Sequence, residues 1–176
     1  GLAMGLMRMR EYGRARAELE VLRKLVPSSP IVETLTCEFS VQANGAGKAL
    51  PCYREALKRY ASYRALVYGY ANTLLETNRP QEALRLVEAR LQVITDDHRL
   101  YLLQARGYAA LDKRLAQHRA QAEAYVRTGN LMAAMEQLRL GLKSGDGDFY
   151  QVSSAESRLR ELRKLDEEMR REAGKR

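Results

Sequence analysis

The 176-residue sequence has no tryptophan, four prolines, two cysteines and two histidines. Each scarcity excludes something. Cys37 and Cys52 are too few for a disulfide framework or a cysteine-rich zinc site, and they suit either a reducing or an oxidising compartment. His98 and His118 have no third ligand at helical spacing, so no metal site is expected in this chain. No apolar run reaches the ~18 residues needed to span a bilayer. No stretch alternates apolar and polar residues over strand length with turns on both sides, so no β-sheet is expected. Nothing resembles a nucleophile elbow, a phosphate loop or carboxylates paired with a histidine. The segment from Gly1 to Met7 is apolar, but it follows no basic segment and precedes no small-residue cleavage site. It reads as part of a truncated first hairpin rather than a signal peptide.

Alanine, leucine, arginine and glutamate are abundant instead, a mixture that favours helix. The apolar residues also repeat. Ala15, Ala49 and Ala83 stand at a constant period of 34 residues, each followed four positions later by a larger apolar side chain (Leu19, Tyr53, Val87). Steps of three and four place these residues on one helix face. Punctuation agrees with the period. Ser29 before Pro30 reads as an N-cap followed by proline at the first helical position. Asn44 to Gly47 reads as a turn, with Pro51 in the first turn of the next helix. Asn78-Arg79-Pro80 repeats the device, and Asp97 is placed to cap a helix from His98. Gly129 closes one helix and Asn130 opens another. Ser153 and Glu156 have capping-box spacing before the last helix. Together these signals predict about ten antiparallel helices: 2–9, 12–25, 30–43, 47–60, 63–77, 80–93, 98–111, 113–128, 131–143 and 153–171.

A 34-residue helix–turn–helix period is the tetratricopeptide signature. In the second hairpin Cys37 and Ala49 take the small positions of the two helices. In the third, Ala71 and Ala83 take them, with Leu74 at the large position. A last hairpin pairs Ala122, Tyr125 and Gly129 with Ala134, Leu138 and Leu142. From Ala83 to Ala134 is 51 residues, one and a half periods, so an extra or shared helix is expected between them. The expected fold is an all-α, right-handed tetratricopeptide solenoid forming one domain over 1–176, with residues 150–176 as a capping helix. Its apolar side carries Ala155, Leu159, Leu162, Leu165 and Met169, its other side mixed charges. Met4, Met7 and Met9 are expected to face a missing helix. Cys37 and Cys52 fall near the crossing of paired helices, which puts a disulfide within reach if the compartment is oxidising.

Lysine plus arginine is 30 against 22 for aspartate plus glutamate, a net charge of +8. Between Arg99 and Lys143 eight basic residues meet three acids. An excess of this kind attracts acidic surface, or it is simply a solvated helix face. Stacked hairpins of this type present a concave surface lined by their first helices. By register that surface carries Glu38, Val41 and Gln42, then Tyr68, Asn72 and Leu75, then Arg99, Leu102 and Arg106, then Arg119 and Glu123. Tyr68, Asn72, Leu75, Arg99, Leu102, Arg106 and Arg119 are the candidate partner-binding residues. Asn72 lies where carboxylate-clamp repeats place an asparagine, but the remaining clamp positions are not matched. Tyr101, Tyr108 and Tyr125 are spaced for packing rather than for stacking on bases, so no nucleic-acid partner is expected despite a pI near 9.7.

Three stretches carry a closer resemblance: YLLQARGYAALDKRLA from Tyr101, AEAYVRTGNLMAAMEQLRLGLK from Ala122, and GDGDFYQVSSAESRLRELR from Gly145. They resemble the C-terminal region of periplasmic zinc metalloproteases that assist outer-membrane β-barrel assembly. In those proteins an HExxH protease domain precedes tetratricopeptide repeats. This chain has no HExxH, so the resemblance implies a non-catalytic binding region with zinc only in an upstream catalytic domain. It also implies a periplasmic location, with barrel-assembly machinery or unfolded outer-membrane proteins as partners. The alternative is a self-standing tetratricopeptide scaffold of the secretion or pilus-assembly type.

Overall fold

The computed structural model describes residues 1–173. Ten helices occur among them: α1 (Leu2–Arg8), α2 (Tyr12–Leu25), α3 (Pro30–Asn44), α4 (Ala46–Arg59), α5 (Arg64–Glu76), α6 (Pro80–Leu91), α7 (His98–Ala109), α8 (Arg114–Arg127), α9 (Leu131–Lys143) and α10 (Phe149–Ala173). No strand occurs among the described residues. Sequence neighbours pack on one another from α1 to α5 and from α7 to α10, the pairwise packing of a tetratricopeptide solenoid. The chain divides into two compact units, Gly1–Leu86 and Val87 onward, with the boundary inside α6.

Most boundaries follow from the caps. The Ser29 hydroxyl accepts from the Val32 N–H at 3.4 Å, the Asp97 carboxylate from Arg99 N–H at 3.1 Å, and the Asn130 amide oxygen from Ala133 N–H at 3.0 Å. Asn78 ends α5 in the left-handed region, φ 57°, and Gly129 ends α8 at φ 75°.

Two readings of the punctuation need correction. The second turn is a single residue, Gly45 at φ 91°. Because one glycine suffices to reverse the chain, α4 starts at Ala46 and Pro51 falls in its second turn, not its first. The carbonyl that loses its N–H partner belongs to Gly47. The capping box of α10 is also displaced. Asp148 accepts from the Gln151 N–H at 2.8 Å, and the Gln151 side chain accepts from the Asp148 N–H at 3.2 Å. This reciprocal pair starts the helix at Phe149, which leaves Ser153 and Glu156 inside it.

Within the first unit the periodic alanines sit in separate apolar clusters. Ala15 packs with Leu6, Met7, Leu19 and Phe39. Ala49 packs with Cys37, Tyr53, Ala56 and Leu66, and Ala83 with Leu50 and Leu74. All three alanines are closed off from solvent. Met7 is buried in its cluster, whereas Met4 and Met9 are exposed. Glu33, itself buried, joins three helices: it pairs with Arg59 of α4 at 3.0 Å and Arg23 of α2 at 3.4 Å. Cys37 and Cys52 form a disulfide between α3 and α4, with Cα atoms 5.5 Å apart.

Tyr53 shows how closely the helices meet. Its ring is 1% exposed and stacks on Tyr70 at 6.1 Å. A Cβ added at Gly69 on α5 would stand 2.6 Å from that ring. Burial pushes the Tyr53 phenol up to about 12, and the negative charge of Glu38 pushes the same way.

In the second unit Ala122, Ala134 and Ala155 are fully buried and come from α8, α9 and α10. Leu115, Leu138, Leu159 and Leu162 fill the space around them. Helix α8 packs on α7 and also on α9. In sequence it lies between α6, which carries Ala83, and α9, which carries Ala134, so the half-period step is that of one and a half hairpins. Its N-terminus is capped from a distance: Asp146, in the α9–α10 link, accepts from Arg114 N–H at 2.6 Å and Leu115 N–H at 3.0 Å. The Ser144 hydroxyl and these N–H groups hold the Asp146 carboxyl below its ordinary value. The buried side chains of α10 are Ala155, Leu159 and Leu162. Leu165 and Met169, expected on the packed side, are exposed, although α10 still reaches the start of α9, where Arg170 donates to the Met132 sulfur at 3.6 Å.

Two outcomes follow from this packing. Gly69→Ala forces the Tyr53 ring against a new methyl group, and overpacking of this kind costs about 1–3 kcal/mol. A urea unfolding midpoint equal to that of the unmodified chain would contradict the close approach. Reduction of the Cys37–Cys52 bridge frees a loop of sequence separation 15, which chain-entropy arguments value at about 3 kcal/mol. Thiol titration of the unfolded, unreduced protein should find no reactive sulfur, and reductant should lower the melting temperature.

Candidate partner-binding site

The second unit contains a polar cleft of about 410 Å³ between α7, α8 and α10. Helical spacing assembles its walls. Tyr101, Gln104 and Tyr108 project from α7, while Leu100, Leu103 and Gly107 turn into the packed side. Ala116, Arg119, Ala120 and Glu123 come from α8, and Ser154, Ser157, Arg158 and Glu161 from α10. Both sets follow the steps of three and four that define a helix face. Leu138 of α9 closes the floor. The small side chains of Ala116 and Ala120 make the depth.

Glu123 is the centre of the charge network. Its two oxygens accept from Arg158 at 2.7 and 3.1 Å, and Arg127 pairs with it one turn along α8. Arg158 reaches Glu161 at 3.0 Å as well, and these carboxylates hold its guanidinium above its ordinary value despite burial. Arg127 further donates to the Tyr101 hydroxyl at 3.0 Å and lies over that ring at 4.4 Å. Stacking of this kind suits a planar guanidinium. The Tyr108 hydroxyl donates to Glu88 at 2.6 Å. Arg119 donates to the Ser154 hydroxyl at 2.9 Å.

The structure distributes the sequence-derived candidates unevenly. Arg119 and Glu123 lie in the cleft. Arg99, Leu102 and Arg106 share an exposed face of α7 that does not line it. Tyr68, Asn72 and Leu75 belong to the first unit. They are half-buried on α5, and Leu75 packs against the Leu50–Leu74–Ala83 cluster. Val41 packs beside Cys37 and Tyr53, Gln42 is exposed, and Glu38 is half-buried with its carboxyl raised by burial. Among the described residues no group of three or more metal-ligand side chains comes together. His118 instead bonds Gln137 at 2.8 Å.

The residues missed are instructive. Tyr101 and Tyr108 were expected to be packing residues, yet they line the cleft with their hydroxyls engaged. Arg158 was expected on the solvated side of the last helix, yet it grips Glu123. The signal was present in part. Ser154, Arg158 and Glu161 stand at steps of four and three on the face opposite Leu159, but no one-helix pattern says what that face meets.

Paired helices closed on alanine, with a polar cleft on one face, define an α-helical repeat protein. Residues 41–107, from α3 into α7, match the family model described as a tetratricopeptide repeat. No curated protein matches the sequence. Solved structures share the fold. MamA from Desulfovibrio magneticus RS-1, position 41 to its end, aligns with TM-score 0.63 at 14% identity, covering 93% of this chain and 92% of that one. A double mutant of MamA RS-1 aligns with the same score and identity, over 94% and 92%. TTC0263, a thermophilic tetratricopeptide protein of Thermus thermophilus, gives 0.55 at 19% identity, over 89% and 94%.

Burial, then the bond to Glu88, pushes the Tyr108 phenol from 10.0 up to about 12. A value raised in the folded state means the fold prefers the neutral phenol. That contribution is complete below the unfolded value and is lost as pH rises through the folded one. Tyr108→Phe should therefore gain stability relative to the unmodified chain as pH climbs from 10.0 toward about 12. Parallel urea curves across that range, with a constant difference between the two proteins, would contradict it.

Proposed function

We propose that this chain is a non-catalytic scaffold that binds other proteins. The observation that carries the reading is the α7–α8–α10 cleft, walled by tyrosine and arginine side chains on rigid helices. These residue types dominate energetic hot spots at protein interfaces. The tetratricopeptide match over 41–107 supports the same reading. On the first unit we place the contact surface around Tyr68, Asn72 and Leu75. On the second we place it at the cleft with Arg119, and on the outer α7 face with Arg99, Leu102 and Arg106.

A finer reading makes the chain the C-terminal binding region of a periplasmic zinc metalloprotease acting in outer-membrane protein assembly. Its support is the resemblance of the stretches between Leu100 and Arg163, together with the Cys37–Cys52 bridge, since disulfides persist in oxidising compartments such as the periplasm. Barrel-assembly machinery and unfolded outer-membrane proteins are then the partners, and zinc belongs to the upstream domain. The self-standing secretion or pilus scaffold remains the competing assignment. No helix of the described residues is long and apolar enough to cross a membrane.

The immobilised chain should capture envelope proteins in a salt-sensitive manner. Tyr68→Ala combined with Arg106→Glu, and separately Arg158→Glu, should reduce that capture while helicity is retained. Capture at full strength by both folded variants would remove these surfaces as the main contact. Enrichment of barrel-assembly components would favour the protease reading, and enrichment of secretion or pilus subunits the other.

A further inference from the structure

We propose that Arg119 seats the carboxylate of an acidic side chain in an extended partner segment, with a neighbouring apolar residue of that segment on the cleft floor. This deepens the scaffold reading and rests on it. Three guanidiniums stand at the cleft, and two are committed. Arg127 and Arg158 both pair with Glu123, and Arg158 also pairs with Glu161. Arg119 is different. It makes no ion pair among the described residues, and its hydrogen bond goes to the Ser154 hydroxyl. A guanidinium carries five N–H donors, so one such bond orients Arg119 without neutralising it.

The cleft's own acids do not serve Arg119. Glu123 lies one turn along the same helix, but each of its oxygens already accepts from Arg158. Glu161 faces Arg158. An incoming carboxylate therefore finds one cation that is half-buried, oriented and unneutralised, in the geometry that favours forked hydrogen bonds. Beside it Ala116 is partly exposed and offers a small apolar seat, with Ala120 and Leu138 buried beneath it. The ligand this describes is an acidic residue next to a leucine-like one. A chain-terminal acidic residue is a poorer match, because its two carboxylates ask for a second uncommitted cation, and a chain-terminal leucine is the competing ligand that the test separates. A phosphate backbone asks for several.

The probe is the amidated peptide acetyl-Gly-Glu-Leu-Gly-Glu-Leu-Gly, titrated into the isotope-labelled chain and followed by amide shifts. Shifts should centre on α8 and α10 around Arg119 and Ser154. Arg119→Gln should weaken binding by at least about tenfold, the loss expected for hydrogen bonds to a charged group. Arg119→Lys should recover part of it, as charge without the fork. Glutamine in place of glutamate in the peptide should weaken binding as much as Arg119→Gln does. Equal binding of the glutamine peptide, or undiminished binding by a folded Arg119→Gln chain, overturns the proposal. So does tighter binding of a glutamate-free peptide ending in a free leucine carboxylate, which would make the chain terminus the ligand. So does the absence of any shift. Shifts confined to other helices remove this site but leave the scaffold reading standing, whereas failed envelope capture removes that reading independently of the peptide.

Discussion

Close approach of helix backbones is the constraint on which the rest of this structure depends. Where Ala49 meets Cys37, or Ala122 meets Ala134 and Ala155, the side chains are too small to hold the helices apart. Larger neighbours then interdigitate around each contact at interior density. Gly69 against the Tyr53 ring is the tightest instance in the first unit. In the second, Gly141 approaches the α8 residues His118 and Leu115.

The cleft is a consequence of the same packing. Helix α8 touches α7, α9 and α10, so its residues are divided among several neighbours and one polar row. The buried row carries Leu115 and Ala122, and the cleft row carries Arg119 and Glu123. Because α9 and α10 are drawn in on small residues, Arg158 arrives within 2.7 Å of Glu123. The network does two things. It links α8 to α10, and it consumes the charge of two arginines while Arg119 keeps its own. Partly buried charge of this sort is stabilising only where geometry is good, and here both Glu123 oxygens are matched.

The helices themselves were legible residue by residue. Pro30 after Ser29, Asn130 after Gly129 and Asp97 before His98 each carry a local mechanism, a side-chain acceptor or a fixed φ, that acts over three or four residues. The misreadings arose where two local signals competed. Asp148–Gln151 and Ser153–Glu156 have the same spacing, and the earlier pair starts the helix. Gly45 alone reversed the chain where a longer turn was expected. The cap on α8 had no local signal at all, since its acceptor, Asp146, lies more than thirty residues away.

The sequence by itself therefore determined the helical repeat, its alanine contacts, the half-period step and the charge excess. The charge excess is composition, and the others rest on periodicities of three to four residues and on a fixed 34-residue spacing. Only the tertiary structure decided which charged and aromatic residues meet. Tyr101 and Arg99 sit two positions apart on α7, yet one lines the cleft and the other does not. Periodicity separates the buried face of a helix from the rest, because burial of apolar area is large and repeats with the helix. It does not rank the remaining polar faces, because what each one meets is set by neighbouring helices far away in the chain.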